Sequence, residues 1–70
     1  MQELVMQICD EIRAMRKTAE EKDLVANNQH WANARDAISN IQILGVDVRV
    51  EERWNSGLVT MAVTFENLKF

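Results

Sequence analysis

The 70-residue sequence has no proline, only two glycines and a single cysteine. One cysteine cannot form a disulfide within the chain, and one cysteine with one histidine does not supply the repeated ligand spacing of a metal site. We therefore expect no cofactor and no bound metal. A domain of this size buries only about 60% of its unfolded surface, so its core needs a supplement, and self-association is the one that remains.

Long hydrophobic runs and basic clusters are also missing. No apolar stretch approaches the ~20 residues of a membrane helix, and the start Met1-Gln2-Glu3 lacks the basic and apolar pattern of a signal peptide. We expect a cytoplasmic protein with no membrane partner. The net charge of −3 is spread evenly, with seven acids and five bases in residues 1–44 and four acids and three bases in residues 45–70. This distribution argues against nucleic acid as the main partner.

Two segments have the apolar period of amphipathic helices. The first stripe consists of Met1, Val5, Ile8, Ile12, Met15 and Ala19, and the second of Leu24, Trp31, Ala34, Ala37, Ile38, Ile41 and Leu44. If the first stripe is continued past Ala26 at its own heptad spacing, it reaches only polar residues. The two stripes therefore belong to separate helices, and the break lies between Glu21 and Asn28. Asp23, or one of the pair Asn27 and Asn28, would serve as the N-cap of the second helix, and the pattern does not choose between them.

Apolar and polar side chains alternate after Gly45, as in the strands of a hairpin. The apolar rows are Val46, Val48, Val50 and Trp54, and then Val59, Met61, Val63 and Phe65. The two apolar rows lie on the same face of the hairpin only if the residue numbers of each cross-strand pair sum to an odd number. That condition allows a two-residue turn, at Asn55-Ser56 or Ser56-Gly57, or a four-residue turn, and it excludes a regular three-residue turn.

The predicted order is helix, helix, strand, strand, in one domain that spans residues 1–70. We expect an α+β fold of the ααββ type, with two N-terminal helices packed on a C-terminal antiparallel β-hairpin. An isolated hairpin is marginal in water and leaves two unprotected edges. We therefore expect dimerisation to extend the sheet, while a dimer formed through the helices also fits the pattern.

Patterns typical of catalysis are weak. Cys9 lies at the margin of the first stripe near Arg13, and His30 lies near the start of the second helix, but no motif connects the two. The adjacent acids Asp10-Glu11, Glu20-Glu21 and Glu51-Glu52 point in different directions and do not converge as an acid–base pair needs to. We interpret the chain as a protein that is not an enzyme.

Several residues do not fit their own element. Strand parity places the charged residue Glu52 on the apolar face. Met6 and Ile43 lie off the helical stripes, Leu58 falls on the outer face of the hairpin, and Phe70 is the last residue. This surplus of exposed apolar surface predicts an interface. We expect a small regulator, inhibitor or adaptor that acts as a homodimer and docks on another protein. The predicted anchors are Trp31 and Trp54, with Met6, Ile43 and Phe70 as apolar contacts and Glu52 and Arg53 as rim charges.

A second class of function is the alternative. Arg13, Arg16 and Lys17 lie close together on the first helix and would let a small regulator bind nucleic acid. On the hairpin, Arg49 and Arg53 alternate with acids that largely cancel their field. An enzyme that uses Cys9 and His30 is the third hypothesis.

Overall fold

The computed structural model describes residues 1–67 and contains two helices followed by an antiparallel hairpin. Helix α1 spans Gln2–Glu20, α2 spans Leu24–Ile43, β1 spans Asp47–Asn55 and β2 spans Leu58–Glu66. The two strands form one two-stranded sheet. The prediction of an α+β fold in the order ααββ is confirmed.

The break between the helices falls inside the predicted interval. Lys22 adopts a left-handed conformation with φ of 57°, and the amides of Lys22 and Asp23 bond back to the carbonyls of Ala19 and Thr18. This is a Schellman motif, which ends α1. The Asp23 carboxylate then accepts a hydrogen bond from the Ala26 amide at 3.2 Å and caps α2. Of the candidates for the N-cap, Asp23 holds that position.

The end of α2 has the same geometry with glycine in the left-handed position. Gly45 has φ of 93°, its amide bonds to the Gln42 carbonyl, and the Val46 amide bonds to the Ile41 carbonyl. Glycine adopts this conformation without steric cost. Gly45 therefore marks the end of the helix two residues before β1 begins, where the change of hydrophobic period predicts the transition.

The hairpin turn has two residues. Asn55 lies opposite Leu58 and Trp54 opposite Val59, so Ser56 and Gly57 form the loop. Both have positive φ, 53° and 82°, as in a type I′ turn, whose twist matches that of the strands. The paired numbers sum to an odd value, which confirms the prediction that both apolar rows face the helices.

The core lies between the helices and the inner face of the hairpin. It consists of Ile8, Met15, Ala34, Ala37, Ile38, Ile41, Val46, Val59 and Met61. The predicted second stripe is wrong at its two ends, because Leu24 and Leu44 are exposed. The buried stripe of α2 begins instead at Asn27, which is completely buried.

The helices are offset toward β2. Helix α1 packs on β2 and, within residues 1–67, not on β1, while α2 packs on both strands and more on β2. As a result, the helix-facing side chains of β1 are only half-buried or exposed, whereas Val59 and Met61 of β2 are buried. In the described part of the chain, neither helix is long and apolar enough to cross a membrane.

Candidate functional site

Two predicted anchors, Trp31 and Trp54, meet in one cluster with Glu52. Trp31 lies on α2, and Glu52 and Trp54 lie on the helix-facing side of β1. The two indole rings pack edge to face with their centroids 5.5 Å apart and their planes at 69°. This is a favoured geometry for aromatic pairs. Strand parity explains why Glu52 and Trp54 share a face, and the packing of α2 on the hairpin brings Trp31 to them.

One carboxylate holds both indoles. The Trp31 Nε1–H donates to Glu52 Oε2 at 2.9 Å, and the Trp54 Nε1–H donates to Glu52 Oε1 at 3.1 Å. Arg35 Nη1 lies 3.7 Å from Glu52 Oε2, and the Glu52 side chain keeps 23% of its accessible surface. The charge of Glu52 is therefore offset within the chain, and each of its oxygens has an indole donor.

The cluster presents a fixed aromatic surface. Trp54 remains 48% exposed, although it lies on the helix-facing side of the sheet. Its rotation is restricted by the hydrogen bond to Glu52 and by the ring of Trp31. A side chain that is ordered before binding loses less conformational entropy when it is covered by a partner. We call Trp31, Arg35, Glu52 and Trp54 the tryptophan site.

The other predicted contacts lie away from the tryptophan site. Arg53 is exposed on the opposite face of β1, since neighbouring strand residues point to opposite sides. Ile43 is 81% exposed, but it ends α2 and lies about 18 Å along the helix from Trp31. Met6 is 59% exposed, near the start of α1. Phe70 lies outside the described residues.

The basic residues of α1 lie beside β2. Arg13 and Arg16 line a groove of about 570 Å³ together with Cys9, Ile12 and four residues of β2, which are Met61, Ala62, Val63 and Phe65. Arg13 forms an exposed ion pair with Asp10. Lys17 is exposed but does not line this groove. The structure thus brings two of the three predicted basic residues to one groove.

The candidate catalytic residues Cys9 and His30 have separate surroundings. His30 Nδ1 lies 2.7 Å from Glu11 Oε2, and both side chains are largely covered. Cys9 is half-buried at the groove between α1 and β2. Across residues 1–67, no three His, Cys, Asp or Glu residues form a cluster that could hold a metal ion. The His30–Glu11 pair connects the two helices.

Asn27, which was predicted only as a candidate N-cap, is completely buried and joins three elements. Asn27 Nδ2 donates to the carbonyls of Met15 and Val59, both at 2.9 Å. The Val59 amide in turn donates to Asn27 Oδ1 at 2.8 Å. One side chain therefore connects α1, α2 and the edge of β2. The signal for it was its spacing, because Asn27 continues the series Trp31, Ala34, Ile38 and Ile41 by one step.

In comparisons with known proteins, no protein-family model, no curated protein and no solved structure matches this chain. The function must therefore be argued from the geometry of its own residues.

Proposed function

We propose that this chain is a non-enzymatic protein-binding protein, a regulator, inhibitor or adaptor, that acts as a homodimer and docks on another protein through the tryptophan site. One observation supports this most: Trp54 is half exposed and yet held by Glu52 and Trp31. Exposed tryptophan is costly in water and is among the residues most enriched in the energetic centres of protein interfaces.

The surroundings of Trp54 fit the same role. An interface centre is apolar and aromatic, and polar groups at its rim exclude water from it. Arg35 lies at the border of the site and is half exposed. Arg53 offers a second cation on the other face of β1. Met6 and Ile43 supply exposed apolar side chains elsewhere on the molecule, which gives a dimer and a partner more than one surface to cover.

Affinity capture followed by direct binding tests the docking role. The tagged wild-type chain and the tag alone are used to capture proteins from the native cell, and a protein retained by the wild type but not by the tag alone is then purified. In calorimetry with that protein, Trp54→Ala should cost about 2 kcal/mol, which is about a thirtyfold increase in Kd. Val25→Ala is the matched control, because Val25 is an exposed apolar residue outside the tryptophan site. Equal affinity of Trp54→Ala and wild type for the captured protein contradicts the proposal.

A nucleic-acid-binding regulator is the second candidate, favoured by the two guanidinium groups that line one groove beside β2. Binding of this kind depends on phosphate contacts and weakens as salt is added. The double variant Arg13→Ala and Arg16→Ala should then abolish a salt-sensitive shift of DNA or RNA. If that shift exists and Trp54→Ala leaves every interaction of the chain intact, the alternative replaces the docking proposal.

A further inference from the structure

We propose that two copies of the chain pair along β1 and form a continuous four-stranded antiparallel sheet, in which Val50 lies opposite Val50 of the second copy. This inference rests on the homodimer of the proposed function and specifies its interface. Two observations support this pairing of β1 with β1. The main-chain edge of β1 lies open, and the charges on the outer face of β1 are complementary to themselves in this register.

The direction of the main-chain groups follows from the turn. In a hairpin with a two-residue loop, Asn55 and Leu58 form a hydrogen-bonded pair, and the next pair, Trp54 with Val59, does not. Val59 agrees with this, because its amide and its carbonyl both bind Asn27 instead of β1. By the same alternation, Val48, Val50 and Glu52 direct their N–H and C=O groups away from β2. Within residues 1–67, these groups make no main-chain hydrogen bond outside the hairpin.

The edge of β2 is covered near the turn. Asn27 occupies the main-chain groups of Val59, and Met61 is only 5% exposed. Helix α1 lies beside β2. Val48 and Val50, in contrast, are only half-buried on the helix-facing side of β1. An added strand would satisfy the open N–H and C=O groups of β1 and cover these valines.

The outer face of β1 selects a second copy as the occupant. Asp47, Arg49, Glu51 and Arg53 alternate in sign and are all exposed. With Val50 opposite Val50, Arg49 lies opposite Glu51 of the second copy and Asp47 opposite its Arg53, and symmetry repeats both pairs. A shift to the neighbouring register on either side places like charges opposite each other, Glu51 with Glu51 or Arg49 with Arg49. Opposite charges across paired strands stabilise a sheet and like charges destabilise it.

In this dimer, the tryptophan site lies at the border of the interface. The two-fold axis runs perpendicular to the sheet, so the helices of both copies lie on the same face. The offset of the helices toward β2 leaves room above the joined β1 strands. The charge pairs end at Arg53, and Trp54 lies just beyond them, beside Val46 of the second copy. Each dimer therefore presents two tryptophan sites, one at each end of the joined strands.

Charge reversal tests both the edge and the register. Arg49→Glu alone places glutamates opposite each other, and Glu51→Arg alone does the same with arginines. In sedimentation equilibrium, the wild type should have a molar mass twice that of the 8.1 kDa monomer. Each single substitution should raise the Kd of the dimer at least about tenfold. An equal mixture of the two single variants should form a heterodimer, and the double variant should dimerise like the wild type. Arg16→Glu on α1 is the matched control and should leave the dimer unchanged.

The outcomes separate this inference from the function on which it rests. Circular dichroism shows whether each variant folds, and recovery in the mixture or in the double variant excludes misfolding as the cause of a monomer. A wild type that dimerises while both single variants dimerise equally well overturns the β1 interface and keeps the homodimer. A monomeric wild type at high micromolar concentration overturns the inference and the homodimer together. Docking through Trp54 is decided separately, by calorimetry with the captured protein.

Discussion

Replacing Asn27 by alanine should strongly destabilise this fold. The Asn27 side chain is completely buried and binds the Met15 carbonyl, the Val59 carbonyl and the Val59 amide. Alanine keeps the helix but removes all three bonds. The Met15 carbonyl still accepts a hydrogen bond from the Thr18 hydroxyl. The Val59 amide and carbonyl stay buried without partners, because Thr18 is the one other buried polar side chain in residues 1–67 and it binds carbonyls of α1.

The magnitude follows from the cost of buried groups without partners. Each such group costs about 1–3 kcal/mol, and partial relaxation brings the sum for Asn27→Ala to about 3–5 kcal/mol. A chain of this length has a free energy of unfolding of about 4–10 kcal/mol. The variant should therefore lose about half of its stability. At about 4–8 °C per kcal/mol for a domain of this size, its Tm should fall by about 12–40 °C.

Chemical denaturation and thermal melts followed by circular dichroism measure this loss. Asn28→Ala is the matched control: Asn28 donates to the carbonyls of Leu24 and Gly57, but these groups can bind water instead, so the loss should be below about 1 kcal/mol. Asn27→Asp keeps the shape and the acceptor of Asn27 and loses both donors, so it should be at least as unstable as Asn27→Ala. A loss below 1 kcal/mol for Asn27→Ala would refute the reasoning.

Substitutions at three further positions test individual parts of the structure. Asp23→Ala removes the N-cap of α2 and should cost about 1 kcal/mol in denaturant unfolding; an unchanged midpoint would show that the cap contributes nothing. Gly57→Ala forces a Cβ to within 3.1 Å of Leu24 Cδ1 at φ of 82°, so it should lower the Tm, whereas Gly57→Asn, which tolerates positive φ, should lower it less. Glu52→Ala removes the acceptor of both indoles, so tryptophan fluorescence should shift to longer wavelength, and an unchanged emission maximum would contradict the role of Glu52.

Periodicity was sufficient to predict most of the fold. Heptad spacing located both helices, and strand parity predicted the shared apolar face and allowed the Ser56-Gly57 turn, because these features depend on local geometry alone. The exact break between the helices was not predictable, since Lys22 occupies a left-handed position that glycine usually marks. Asn27 was predicted only as a candidate N-cap, and its contacts with Met15 and Val59 show that it is a buried residue instead.

Three residues of the tryptophan site, Trp31, Glu52 and Trp54, were predicted from the sequence, but Arg35 and the arrangement of the four were not. Parity placed Glu52 and Trp54 on one face, and the helical stripe included Trp31. That a single carboxylate receives both indole N–H groups depends on how α2 lies across the hairpin. The lateral offset of the helices toward β2, which exposes β1, depends on packing in the same way. Neither the shared carboxylate nor the offset of the helices can be predicted from residue spacing.

Fluorine NMR of the protein labelled with 5-fluorotryptophan tests the central claim most directly, because the chain has only two tryptophans. Trp31→Phe and Trp54→Phe assign the two resonances. On addition of the captured partner protein to the preformed dimer, the resonance of Trp54 should shift or broaden strongly and lose its sensitivity to D₂O, while that of the less exposed Trp31 should change less. Binding that leaves the Trp54 resonance and its solvent sensitivity unchanged would contradict the docking role of the tryptophan site.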